Sequence, residues 1–177
     1  MNKMKVSVES IKELRNLSSA SIADCKKALQ ESKGDIKKAM QFLRKHGLEL
    51  AAKKQGRHAK EGRIESYVHT GNKIGVLLEV DCETDFVAKN AEFCQFTKDI
   101  AMQIAACDPE YIKKEDVPKE IIEAESDKEL FCKNRCLMEQ QFIKDPSLTI
   151  KDYVGSLLVK FKENIVIRKF VRYKIGE

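Results

Sequence analysis

The chain has 177 residues, of which 42% are hydrophobic, 34% charged and three are prolines, and its net charge is +5. That length suits one full domain, or one domain with a small appended module, and hides about 70% of the unfolded chain's surface. The composition excludes collagen-like, Pro/Gly-rich and disordered chains, and no apolar run approaches the roughly 18–20 residues that span a bilayer.

Residues 7–47 read as three short amphipathic helices. Ser7 is the expected N-cap of the first, with Val8, Ile11 and Leu14 at helical spacing. Ser18-Ser19-Ala20-Ser21 interrupts the pattern, and Ser21 caps a second helix carrying Ile22, Cys25, Ala28 and Leu29. Gly34 closes it, and Asp35 opens a third with Ile36, Ala39, Met40 and Leu43 inward, ending at Gly47. The organisation predicted is a helical module over 1–50, a basic linker over 51–63 and an α+β core over 64–177. The linker is rich in small and basic residues. It reads as a solvated connector more readily than as a nucleic-acid contact, because no aromatic residue is interleaved for base stacking.

After Gly62 the period changes from helix to strand. Ile64, Ser66 and Val68 alternate with Glu65, Tyr67 and His69. The turn Thr70-Gly71-Asn72-Lys73 follows, and then Ile74, Val76, Leu78 and Val80 alternate with Gly75, Leu77, Glu79 and Asp81. This is a hairpin signal, and Ile165–Tyr173 supplies a third strand. Three helices are expected to cover the sheet. One is capped by Asn90, with Phe93, Phe96, Ile100 and Ile104 on one face, and stops at Asp108-Pro109. Another runs from Pro118 towards Arg135, and the last starts near Thr149 with Ile150, Val154, Leu158 and Phe161.

Charge is +9 over residues 1–63, −7 over 64–136 and +3 over 137–177. A basic–acidic–basic layout suits a protein partner or internal contacts more than uniform binding to nucleic acid. The N-terminus lacks a signal-peptide core, so a cytoplasmic protein without membrane association is expected. The six cysteines form no C-x-x-C pair and the three histidines are scattered, so no zinc site is expected and the thiols stay reduced. Asp81, Glu83 and Asp85 alternate near a strand end, yet no second oxygen cluster completes a metal site. No phosphate loop, dinucleotide fingerprint, nucleophile elbow or metalloprotease motif occurs, which argues against an enzyme and against a cofactor. Cys82 and His69 lack base–nucleophile spacing. Thr84-Asp85-Phe86-Val87 stands between strand and helix, where functional residues often sit. From the residues alone, Phe86 is either a displayed wedge beside the Asp85 charge or a core residue with Asp85 capping the turn.

Several stretches then resemble one family in order and spacing. They are Ile11–Arg15, Asp24–Leu29, Gly34-Asp35, Ala51–Lys54, Glu61-Gly62, Leu78–Ala88 and Glu163–Tyr173. They resemble the elongation factor Ts family, the bacterial and organellar exchange factors for elongation factor Tu, over nearly the whole chain. The resemblance implies a guanine nucleotide exchange factor that binds no nucleotide itself. It implies a ubiquitin-associated-type three-helix bundle docking on the GTPase, with Leu14, Ile22 and Ala23 at the contact. It also implies that Asp85 and Phe86, framed by Thr84 and Val87, intrude on the Mg²⁺ site of elongation factor Tu. Ser18–Ala23 departs from the family's Gly-containing turn and paired methionines: Ile22 replaces one methionine, while Ala23 has less reach. The chain resembles a short form with a single subdomain, which implies pairing into a homodimer. The alternative reading is an RNA-binding translational adaptor that uses the basic N-terminal region.

Overall fold

A computed structural model describes residues 6–53 and 59–177. Met1–Lys5 and Lys54–His58, the latter the middle of the expected linker, lie outside the described residues. In chain order the elements are α1 (Val8–Ser18), α2 (Ile22–Glu31), α3 (Ile36–Lys53), β1 (Glu61–Val68), β2 (Ile74–Cys82), α4 (Asp85–Ala88) and α5 (Ala91–Cys107). There follow α6 (Lys119–Ala124), α7 (Lys128–Arg135), β3 (Gln141–Phe142), β4 (Asp145–Thr149), α8 (Ile150–Phe161) and β5 (Val166–Lys174). No helix among the described residues is long and apolar enough to cross a membrane. Two compact units result, one from residues 1–57 with 152–164, the other from residues 58–151 with 165–177.

The first unit is a helical bundle. Ser7 and Ser21 cap α1 and α2 as expected, their hydroxyls accepting from Ser10 N at 3.0 Å and Asp24 N at 3.2 Å. Asp35 does the same for Lys38 N at 3.0 Å before α3. Ser19 ends α1 in the left-handed region, which turns the chain between the first two helices. Leu14, Cys25, Ala28, Leu29, Ala39 and Leu43 form the core, and Val159 of α8 packs into it.

That last contact corrects an expectation. The Ile150–Phe161 segment reads in sequence as a cover for the sheet, but from Asp152 onward it groups with the bundle. The reason is a close helix crossing: a Cβ on Gly47 would lie 2.3 Å from the Gly155 carbonyl oxygen and 2.7 Å from a Val159 methyl. Gly47 therefore does not end its helix. It lies within α3, where the absence of a side chain admits α8. Lys162 secures the same junction by pairing with Asp24 at 3.0 Å.

The second unit is an antiparallel sheet in the order β1-β2-β5. Residues 61–63, expected in the linker, begin β1, and Gly62 lies so close to β2 that a Cβ would meet the Val80 carbonyl oxygen at 2.4 Å. Val76, Leu78, Val80 and Cys82 line the inner face of β2 and are covered by α5, whose Phe93, Phe96, Ile100 and Ile104 are fully buried. The register pairs Glu65 with Leu78 and Ile64 with Glu79. Consequently Glu65 points inward and Ile64 and Val68 outward, the reverse of what hydrophobicity suggests for β1. Glu65 is only 8% exposed. Burial of its charge is tolerated because Arg63 Nε donates to it at 3.0 Å and Thr97 Oγ1 at 2.9 Å.

Two smaller differences follow from local capping and pairing. The helix expected from Pro118 to Arg135 is two helices, because Asp127 caps a new one by accepting from Leu130 N at 2.9 Å. Residues 141–149 form a short two-stranded ribbon, β3-β4, that carries no alternating pattern in sequence.

Candidate functional site

The turn after β2 is built from its capping chemistry. Thr84 is the N-cap of α4, with its hydroxyl accepting from Val87 N at 3.5 Å, and Cys82 Sγ donates to the Thr84 carbonyl at 3.2 Å. Asn90 ends the segment by capping α5, accepting from Glu92 N at 2.9 Å. Between these caps α4 closes a single turn. Its two sides face opposite environments. Val87 and Ala88 are buried, whereas Phe86 is 84% exposed, more than any other large apolar residue of those described.

Phe86 is thus not a core residue. A core aromatic is held by contacts on all sides, and here its chain neighbours take that part instead. Asp85 lies beside it on the surface and accepts from Lys89 Nζ at 2.8 Å. The hydrogen bond and charge of Lys89 hold the Asp85 carboxyl below the usual carboxylate range. Lys89 is a residue that the sequence reading missed, although its position four residues after an aspartate is the signal for such a pair. Behind the turn, Arg63 Nη1 donates to Cys94 Sγ at 3.4 Å, and Cys94 Sγ donates to the Ala88 carbonyl at 3.7 Å. The Arg63–Glu65–Thr97 group, with Glu65 and Thr97 buried and Arg63 half-buried, therefore continues to the back of α4 and mounts it on β1 and α5.

Asp81, Glu83 and Asp85 do not form a metal cluster. Asp81 accepts from Arg168 Nε at 2.8 Å and Asp85 from Lys89. No group of three or more His, Cys, Asp or Glu placed to hold a metal ion occurs among the described residues.

The docking residues implied for the bundle divide. Ile22 is 56% exposed at the start of α2, and Ala23 beside it is also exposed. Leu14, by contrast, is 0% exposed and packs inside the bundle. Its side chain fills the space between the three helices, as its spacing from Ile11 dictates. The apolar surface that α1 does offer comes from Val8 and Leu17, each 60% exposed, with Leu17 on the other side of the Ser19 turn from Ile22.

Comparison with known proteins matches this sequence to one family. Residues 2–130 match the family described as elongation factor TS. Elongation factor Ts of Caldanaerobacter subterraneus subsp. tengcongensis is 47% identical over 195 aligned positions, covering 97% of this chain and 98% of that protein. The elongation factor Ts of Thermodesulfovibrio yellowstonii is 46% identical, with 98% of both chains covered. That of Geobacter sulfurreducens is 43% identical, with 98% of this chain and 91% of that protein covered. These alignments are longer than the 177 residues of the chain, so the relatives carry internal residues that it lacks. The residues behind the resemblance, from Ile11–Arg15 to Glu163–Tyr173, thus sit in a chain that belongs to the elongation factor Ts family of translation elongation factors.

Proposed function

We propose that this chain is a guanine nucleotide exchange factor that binds elongation factor Tu in its GDP form and promotes GDP release by disturbing the Mg²⁺ site. The observation that carries the reading is the display of Phe86 at 84% exposure, next to an ionised Asp85, on a turn whose other residues are anchored. A ring displayed this way is free to bury its apolar surface against a partner, as aromatic anchors do at the centre of interfaces. Mg²⁺ bridges the phosphates of a bound nucleotide and the GTPase's own ligands, so a wedge that shifts this shell weakens nucleotide binding. Thr84 and Val87 set the wedge in place, and Ile22, Ala23 and Leu17 provide the second contact through the bundle. The factor breaks no covalent bond and is not an enzyme. It binds no nucleotide and works in the cytoplasm with its partner. By linkage it binds nucleotide-free elongation factor Tu more tightly than the GDP form, and a 10³-fold weakening of GDP corresponds to about 4 kcal/mol of coupling.

The test is release of fluorescent GDP from purified elongation factor Tu. The unaltered chain is expected to accelerate release, and Asp85→Ala with Phe86→Ala to abolish most of the acceleration while leaving the melting curve in place. Full activity in the double variant would refute the wedge. The basic N-terminal region as an RNA adaptor would show instead as salt-dependent binding to bare RNA with no effect on GDP release.

A second reading concerns assembly. Ile64, Val68, Leu77, Val171 and Tyr173 are exposed and share the outer face of the sheet, with the Glu79–Lys169 pair at 3.1 Å among them. A sheet face this apolar favours pairing with a second copy. Sedimentation at micromolar concentration is expected to give a dimer mass, and a concentration-independent monomer would remove this reading.

A further inference from the structure

Asp85 and Lys89 are the two ends of α4: Asp85 is its first residue and Lys89 its C-cap. The first turn of any helix is the costly one, since several dihedrals are fixed for one hydrogen bond, and α4 has no second turn to offset it. Thr84 caps this turn, Val87 and Ala88 anchor it, and the bond from Lys89 Nζ to Asp85 Oδ2 spans its whole length. An acidic group at the start and a cation at the end also suit the helix dipole.

The clasp also decides where the aspartate points. The groups acting on the Asp85 carboxylate are the Lys89 ammonium and the backbone N–H groups of Asp85 and Phe86, while Glu61 of β1 acts on Lys89 from the sheet. An exposed aspartate without a partner samples several rotamers, whereas this one is tied down beside Phe86. Lys89 is itself mostly exposed, so burial does not explain its place.

We propose that Lys89 is the positioning residue of the exchange wedge, orienting the Asp85 carboxylate next to Phe86 before the partner's Mg²⁺ site is met. This rests on the wedge reading above. Lys89 acts through Asp85 and itself touches no reacting group.

The experiment measures GDP release from elongation factor Tu with the full chain, Lys89→Met and Lys89→Arg, each also in an Asp85→Asn background. Lys89→Met is expected to lower kcat/KM for release about tenfold, within the coupling seen between contacting residues. The loss is expected to fall on kcat more than on KM, and Lys89→Arg to restore most of it. In the Asp85→Asn background, Lys89→Met is expected to change release less than about twofold, because its target is already altered. An equal loss in both backgrounds, or no loss in either, would overturn the positioning role while leaving the wedge intact. Unimpaired release by Asp85→Asn alone would also overturn the positioning role, whereas full activity in the Asp85→Ala, Phe86→Ala variant would overturn the wedge itself. Thermal unfolding of each variant shows whether the fold is retained, and Lys89→Arg supplies the same answer should Lys89→Met melt early.

Discussion

The turn at α4 and the first helix of the bundle display apolar side chains by opposite means. At α4 a single aromatic stands out because the residues directly after it, Val87 and Ala88, are held in the core, and the half-buried Arg63–Glu65 pair with Thr97 and Cys94 backs the mount. In α1 the apolar residues divide by helical phase: Leu14 is wholly inside, and Leu17, three residues later, is largely outside. A one-turn helix has no inner stripe of its own, so each residue is either an anchor or a display. A helix of three turns has such a stripe, and an apolar residue on it belongs to the core first. An apolar residue therefore plays different structural parts in the two regions, displayed on the surface at Phe86 and packed inside at Leu14.

Substitution breaks or sharpens that contrast. The largest effect is expected for Leu14→Ala, which removes a fully buried side chain and should destabilise the bundle by about 2–5 kcal/mol. Phe86→Ala, losing the larger side chain, should stay within about 0.5 kcal/mol of the unaltered chain, as exposed positions do. Denaturant titration of both variants measures the difference, and comparable losses would mean that Phe86 is packed in solution. Next in size is Gly47→Ala. Its new methyl group would meet the Gly155 backbone, which cannot rotate away, so α3 and α8 must separate at a cost of about 1–3 kcal/mol. Unchanged stability would show that residues 152–164 are not part of the bundle's core.

The smallest effect concerns pH. Partial burial works against the charge of Asp24, but the Ser21 hydroxyl, at 2.6 Å, and the Lys162 ammonium outweigh it and keep its carboxyl below the usual range. A depressed folded value means that its contribution is present above the ordinary carboxylate range and is lost as pH falls through the lowered value. Asp24→Asn should therefore be slightly less stable at neutral pH and converge with the unaltered chain in acid. Parallel curves at all pH values would show that this pair does not hold the 152–164 segment.

Much of the candidate site is legible in the residues themselves. Asn90 is a cap at a fixed offset from the helix it starts, and the strand before it ends in clear alternation, so a turn at 84–87 follows from local chemistry. The display of Phe86 in place of its burial is settled by the packing of Val87 and Ala88. Lys89 carries the same kind of local signal, an i,i+4 pair, and is read only once Asp85 is known to be at the surface. The helical spacing of Ile11 and Leu14 already places Leu14 inward, whereas Val8, at the same spacing, stands exposed at the start of α1.

What the sequence by itself determines is the set of features whose cause lies within about five residues: the caps at Ser7, Ser21, Asp35 and Asn90, the hairpin, the stripe of α5 and the turn at α4. Only the tertiary structure decides which face of β1 is buried, because Glu65 can turn inward only where Arg63 and Thr97, the latter 32 residues away, satisfy its charge. The same holds for α8. Its apolar stripe would suit the sheet or the bundle equally well, and the choice is made by two glycines 108 residues apart, whose lack of side chains lets the helices approach. Hydrophobic periodicity states that a face must be covered, and the covering partner is selected by shape and charge between segments far apart in the chain.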